Sequence, residues 1–406
     1  MLLRVTHKRL LIVGLISCLA AVVVVSILLP SPHAVAPSTK ANTVTKQKTV
    51  QTNDISLVAT GDWIAHDTIN AQAKQADGSY SYLPMIADLK PYFASSDIRF
   101  CNDPILNGGS VSAVAGYPKF NSPADFVKDM GSFGCNLVNT ASNHSFDFTQ
   151  ANITASVDAW KAVPKTLAVA GENRDQAEHD SVQYFTVKGV RFAFLAYTTY
   201  INIDAPAQND YGVNLFSTDF ASKQIAEAKQ HGAKVIIASM RWGTEFSTAV
   251  NSQQQKDAQW LADQGVQLVL GHGSHELQPV QQLTGATGTK TVVWYSLGNF
   301  LNTQIPAETL FNGLAYMKIN PKTYQVSVTG YLPIYVHYDW SAADAAAQNT
   351  NNRTNVHVYL LTKTTQAMLD SQQLKTTLDA QRQRFISTLS AYGANVPLLT
   401  PEQITR

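Results

Sequence analysis

Residues 235–245 read VIIASMRWGTE and residues 266–275 read VQLVLGHGSH. Each is a short β-branched apolar run that stops on polar side chains: Arg241 and Glu245 in the first, His272 and His275 in the second. Runs of that length and composition read as buried strands. In parallel sheets, ligands bind beyond the carboxyl ends of the strands, so the residues that follow each run are informative. The same grammar recurs upstream. Ile55–Thr60 leads into Gly61-Asp62, Asp97–Cys101 into Asn102-Asp103, and Asn136–Thr140 into Asn143-His144 and Asp147.

Working outward, further strands are predicted at Thr166–Ala170 and Arg191–Tyr197. Helices are predicted at Tyr82–Ala94, Pro123–Phe133, Gln150–Ala162, Asp219–His231 and Ser252–Gln264. Strands spaced by amphipathic helices imply βαβ units and a mainly parallel sheet. From Leu277 strand follows strand, at Gln278–Leu283, Thr291–Ser296, Leu314–Ile319, Gln325–His337 and His357–Leu361, before a terminal helix at Ser371–Tyr392. That adds an antiparallel component. The alternation has no clean break and no internal repeat, so one α/β domain with two sheets fits better than two independent domains.

Five strand ends would thus bring Asp62, Asp103, Asn143 with His144, Arg241 with Glu245, and His272 with His275 along one edge of one sheet. Oxygen and imidazole ligands suit divalent Zn, Mn or Fe. Two such ions about 3.5–4 Å apart can activate water and stabilise an in-line displacement. Each piece also has a plainer reading. Gly-Asp after a strand is most often a turn or cap, and His66 and Asp67 sit where a helix would start. Arg241 pairs with Glu245 four residues on, or holds an anionic group, since guanidinium matches carboxylate and phosphate. Trp242 reads as packing. His179, His231, His337 and His357 show no ligand spacing. The loops 108–121 and 202–214 are candidate walls of a cleft.

The chain order of these elements resembles the CapA family, poly-γ-glutamate capsule biosynthesis proteins related to calcineurin-like metallophosphoesterases. Gly271-His272…His275 is followed by Gln278-Pro279, and Tyr295-Ser296-Leu297-Gly298-Asn299-Phe300 matches a further family segment; the similarity runs over about residues 54–302. The resemblance implies a four-layer α/β/β/α sandwich of metallophosphoesterase type. It implies Asp62, Asp103, Asn143, His272 and His275 as metal ligands, and His144 as the group that stabilises or protonates a leaving group. Asp147, Arg241 and Glu245 join His144 as catalytic-site candidates. Two departures stand out. Asn102-Asp103 replaces the family's Asn-x-Glu, and Arg241-Trp242-Gly243 replaces its His-Trp-Gly. Arginine stays protonated and ligates no cation, which argues against a second metal.

Composition narrows the rest. Of 406 residues, 45% are hydrophobic and 15% charged, enough apolar mass to fill a core and far from a disordered composition. Thirty Lys and Arg against 29 Asp and Glu leave +1, without the basic excess of a nucleic-acid binder. Arg4, Lys8 and Arg9 precede a charge-free apolar run from Leu10 to Leu29, long enough to span a bilayer and oriented with the remainder outside. An uncleaved transmembrane helix is the preferred reading, against a lipoprotein acylated at Cys18. Residues 30–53 read as a solvated tether, 54–340 as the CapA-like domain and 341–406 as an extension packed on it. Cys101 and Cys135, both in apolar stretches, read as buried free thiols. There is no Gly-x-Ser-x-Gly, Ser-x-x-Lys, P-loop or Gly-x-Gly-x-x-Gly motif.

Two functions follow. One is a membrane-anchored, extracellular accessory that binds poly-γ-glutamate or another anionic surface polymer during synthesis, export or attachment, beside other capsule-synthesis membrane proteins. The other is a metal-dependent phosphoesterase-type hydrolase.

Overall fold

A computed structural model describes residues 53–404. The expected membrane helix, Cys18 and nearly all of the tether lie outside the described residues. Among the described residues no helix is long and apolar enough to cross a membrane.

The strands are β1 (Ile55–Trp63), β2 (Ile98–Asn102), β3 (Leu137–Asn139), β4 (Ala168–Ala170), β5 (Gln183–Val187), β6 (Val190–Thr198) and β7 (Val235–Arg241). They continue as β8 (Leu268–His272), β9 (Val280–Thr284), β10 (Lys290–Trp294), β11 (Asn299–Leu301), β12 (Phe311–Ile319), β13 (Val326–Asp339) and β14 (Thr354–Leu360). They form two mixed sheets, one ordered β14-β13-β12-β1-β2-β3-β4 with β11 also paired to β1, the other β5-β6-β7-β8-β10-β9. β1 through β4 are parallel neighbours, as are β6, β7, β8 and β10. The later strands supply the antiparallel part, with β12 pairing β1 and the β12–β13–β14 meander beyond it.

Alternation along the second sheet assigns its two faces. Phe192, Phe194, Val235, Ile237, Leu268, Leu270 and Trp294 join the core shared with the first sheet. Ala193, Leu195, Ile236, Ala238, Val269 and Val293 instead meet Ala221, Ile225 and Ala228 of helix Thr218–Gln230 and Ala258 and Leu261 of helix Ser252–Asp263. That is the period-2 pattern of a sheet covered on both sides. On the first sheet, Trp63 of β1 packs edge-on against Phe126 and Phe133 of helix Ala124–Phe133. Each such fully buried large side chain contributes about 1.5–3 kcal/mol.

Three expectations are corrected. The polar strand ends belong to two sheets rather than one edge: β1, β2 and β3 lie in the first, β7 and β8 in the second. Single-strand periodicity cannot tell which sheet a strand joins. The helix expected over Tyr82–Ala94 is broken into two 3-10 turns and a four-residue helix, Lys90–Phe93, with Pro84 and Pro91 at helix starts. Proline fits the first turn of a helix and interrupts anything longer. Cys101 and Cys135 form a disulfide, with Cα atoms 5.7 Å apart. Burial had pointed to free thiols, yet a buried pair, one on β2 and one just before the adjoining β3, is also where a bridge fits. β5 and β11 were missed, both being short or edge segments with weak patterning.

Candidate active site

The site stands between the carboxyl ends of the two sheets, and register builds it. In the first sheet Asp62 pairs with Asn102 on one side and Asn299 on the other, and Asn102 with Asn139. In the second, Arg241 pairs with Thr198 and His272. Gly61 allows the close approach of β11: a Cβ there would lie 2.1 Å from the Gly298 carbonyl oxygen. That approach, sealed by Asp62 N–H donating to the Gly298 carbonyl at 2.9 Å, sets Asn299 beside Asp62.

Asp62 is wholly buried, and its carboxylate is the hub. Asn102 Nδ2 donates to Oδ1 at 2.7 Å, His275 Nδ1 lies 3.1 Å from Oδ2, and His272 Nδ1 is 3.7 Å from Oδ1. Asn139 Nδ2 in turn donates to Asn102 Oδ1. Burial alone would raise the Asp62 carboxyl. The His275 hydrogen bond and the charges of His275, His272 and Arg241 outweigh it and hold the group below its ordinary value. Burial also pushes His272 down to about 4; Asp62 opposes that shift and Arg241 adds to it. His272 Nε2 meets Ser239 Oγ at 3.1 Å, while its Nδ1 has no hydrogen-bond partner. His275 adopts φ of +62°, a left-handed conformation that costs a non-glycine residue of order 1 kcal/mol and marks functional turns.

Arg241 is 1% exposed and fully engaged. Its Nε donates to Asn143 Oδ1 at 3.0 Å, Nη1 to the Gly273 carbonyl at 3.0 Å and Nη2 to Glu245 Oε1 at 2.8 Å. Gly273 is required, because a Cβ there would lie 2.1 Å from Arg241 Nη1. The Tyr200 ring covers the guanidinium at 5.2 Å. Trp242 is buried packing, its Nε1 donating to the Tyr295 carbonyl at 2.8 Å.

His144 and Asp147 form a dyad, with Nδ1 2.6 Å from Asp147 Oδ2, which also accepts the Phe120 N–H at 2.8 Å. An imidazole oriented in this way leaves Nε2 as its second nitrogen, able to take or give a proton. Asn143 Nδ2 donates to Asn202 Oδ1 at 3.2 Å. These groups open onto a cleft of about 600 Å³ lined by His66, Asn143, His144, Arg241, Glu245 and His275, with Tyr117 and Phe120 from one expected wall. Arg353, from the C-terminal segment, lines it too. His66 is the residue at the start of helix Asp67–Ala73 and a cleft residue at once; burial and then the Arg353 charge push it down to about 3.

Of the residues expected from sequence, Asp62, His272, His275, Asn143, His144, Asp147, Arg241 and Glu245 come together. Asp103 does not. Its carboxylate turns the other way, accepting Trp160 Nε1 at 2.8 Å and Asn107 Nδ2 at 2.7 Å, and burial raises it to about 7. Asn102, one position earlier and on the opposite face of the strand, reaches Asp62 instead. Asn139, Ser239 and Asn299 were not assigned to the site, although Asn139 carried the same strand-end signal.

A divalent ion can be tested against this donor set. Asp62, His272 and His275 converge, and His272 Nδ1 is a buried nitrogen without a partner. Asn143 Oδ1 is occupied by Arg241, and Asp103 is turned away. Among the described residues no group of three or more His, Cys, Asp or Glu has the spacing of a metal cage. The residues fit at most one ion.

The family model described as bacterial capsule synthesis protein PGA_cap matches residues 56–304. The chain belongs to this family. Among curated relatives it is 25% identical over 261 residues to the PGA biosynthesis protein CapA of Bacillus subtilis, covering 63% of this chain and 65% of that protein. It is 28% identical over 179 residues to the capsule biosynthesis protein CapA of Bacillus anthracis, covering 43% and 42%. The chain thus spans less than two thirds of either relative. Solved structures similar to this capsule synthesis family member include a putative 5'-nucleotidase from Staphylococcus aureus in complex with α-ketoglutarate, at 13% identity, TM-score 0.42 and coverage of 82% and 58%. Another is the calcineurin-like phosphoesterase YfkN from Bacillus subtilis, at 13% identity, TM-score 0.36 and coverage of 81% and 99%.

Proposed function

We propose that the protein acts in poly-γ-glutamate capsule biosynthesis as an accessory that binds the polymer, and that the cleft between the two sheets is where it does so. Arg241 carries this reading. A guanidinium at the floor of a cleft, braced by Asn143 and Gly273 and bridged to a carboxylate, has the chemistry for recognising a chain of carboxylates. Arg353 lines the same cleft and adds a second cationic group, and the name of the Bacillus subtilis relative points to the same polymer. The apolar run 10–29 would hold the protein in the cell membrane with residues 53–404 outside, where a disulfide such as Cys101–Cys135 persists. Titrating the full-length protein in detergent with γ-linked glutamate oligomers tests this. Saturable, salt-weakened binding is expected; no binding at low salt defeats the proposal.

A second reading, a phosphoesterase-type hydrolase, is favoured by the unpartnered His272 Nδ1 beside Asp62. Asp62, His272 and His275 would hold one Mn, Zn or Fe ion, which when bound would supply a Lewis acid for water activation. His144, held by Asp147, would manage the leaving group's proton. Metal analysis with a phosphodiester panel separates the two. Stoichiometric metal, with turnover lost in His272→Ala, selects the hydrolase; polymer binding by metal-free protein selects the accessory.

A further inference from the structure

We infer that Glu245 is a resident placeholder in the carboxylate subsite of the cleft, and that it makes the subsite selective for a polyanion over a free amino acid. The inference rests on the polymer-binding reading above. Glu245 offers a carboxylate, the group that each γ-linked unit also presents once its γ-carboxyl is spent on the amide, and it sits on the one guanidinium nitrogen that Arg241 does not spend on the fold. Nε and Nη1 are committed to Asn143 and Gly273, whereas Nη2 reaches outward to Glu245 Oε1 at 2.8 Å. The Tyr200 hydroxyl donates to that same oxygen at 3.3 Å, and His275 Nε2 is 3.9 Å away. Two donor groups, with the His275 ring close by, therefore define a carboxylate-sized receptor that the chain fills itself.

The filling is of a kind that can be displaced. The Arg241 side chain is 1% exposed and that of Glu245 is 39% exposed, so the contact joins a fixed cation to a solvated anion. Such half-exposed pairs are weak and screened by salt. The segment that carries Glu245 turns at Gly243 (φ +86°) and Phe246 (φ +56°), with Phe246 half exposed at the cleft beside the His275 ring. Swinging Glu245 into solvent breaks its contacts to Arg241, Tyr200 and His275 and leaves the other two Arg241 hydrogen bonds in place.

A tethered carboxylate competes with incoming ligand at an effective concentration in the millimolar range. Free glutamate, which offers a single carboxylate to this subsite, loses that competition. A polymer wins it because further carboxylates engage the rest of the cleft, and because each unit that leaves is replaced by its neighbour.

The test compares the full-length wild type with Glu245→Gln and with Asp370→Asn, which makes the same charge change at a residue that does not line the cleft, using free glutamate and a γ-linked glutamate oligomer as probes. Glu245→Gln should bind the oligomer about tenfold more tightly than wild type and should acquire measurable binding of free glutamate. Asp370→Asn should match wild type, and melting curves of all three should coincide. Oligomer binding by wild type with no gain in Glu245→Gln over Asp370→Asn overturns the placeholder while leaving the polymer-binding reading intact. Failure of both wild type and Glu245→Gln to bind the oligomer overturns both.

Discussion

Asp62 and Asp103 are the same residue type, each at the carboxyl end of a parallel strand of one sheet, and each fully buried. They behave in opposite ways. Asp62 is surrounded by His275, His272 and Arg241 and is held below the ordinary carboxylate range. Asp103 meets the neutral donors Trp160 and Asn107, and burial lifts it to about 7. Because burial is equal, the charge of the neighbours decides. One aspartate is a permanent anion that organises the floor of the site. The other is raised to about 7 by burial and belongs to the core.

The contrast can be broken at Asp62 first. Asp62→Ala leaves Asn102 without its acceptor and leaves His275 and Arg241 without a nearby buried anion. A loss of about 3–5 kcal/mol in denaturant unfolding is expected. A loss below about 1 kcal/mol would mean that Asp62 is no hub.

The Cys101–Cys135 bridge underpins both aspartates, since it ties the end of β2 to the residue two before β3, closing a 34-residue separation. Reduction should cost about 3–4 kcal/mol by loop entropy, measured as a fall in denaturation midpoint with dithiothreitol.

The two groups should also tilt the pH profile in opposite senses. With a folded value of about 7 against an ordinary 3.8, Asp103 holds its proton in the folded state while the unfolded chain has lost it. Its contribution is therefore intact below 3.8 and is lost as pH rises through about 7. Asp103→Asn removes this slope, so the variant should gain on wild type by about 3–4 kcal/mol between about pH 4 and pH 8. Asp62, depressed, has the reverse sign: its contribution is present above the ordinary 3.8 and is lost as pH falls through its folded value. Parallel pH profiles for Asp62→Asn and Asp103→Asn would erase the distinction. The smallest effect is at Tyr200→Phe, which removes only a 3.3 Å hydrogen bond to a half-exposed carboxylate and should shift stability by at most about 0.5 kcal/mol.

Much of this site was legible because its residues follow apolar runs. Arg241 and His272 end strands directly, Asp62 is next to last in its strand, and Asn143, His144 and His275 come a few residues later. What sequence could not supply was the partner across the gap. Nothing in a strand's pattern states which sheet it joins, so the meeting of Asp62 with His272 is a tertiary fact. The error at Asn102-Asp103 has the same root. Adjacent strand residues face opposite sides, and both were polar, so only the packed neighbours of each, Asp62 for one and Trp160 for the other, reveal which faces the cleft. Arg353 was out of reach altogether, lying about fifty residues beyond the matched family segment that ends at 304.

All of this converges on a guanidinium held ready for carboxylates. The decisive measurement is the dissociation constant of a γ-linked glutamate oligomer for the full-length protein and for Arg241→Lys, each with its melting temperature. The account predicts binding weakened by about tenfold or more in a variant that still melts cooperatively, because lysine keeps the charge and loses the fixed fork. Equal affinities in two folded proteins would contradict it.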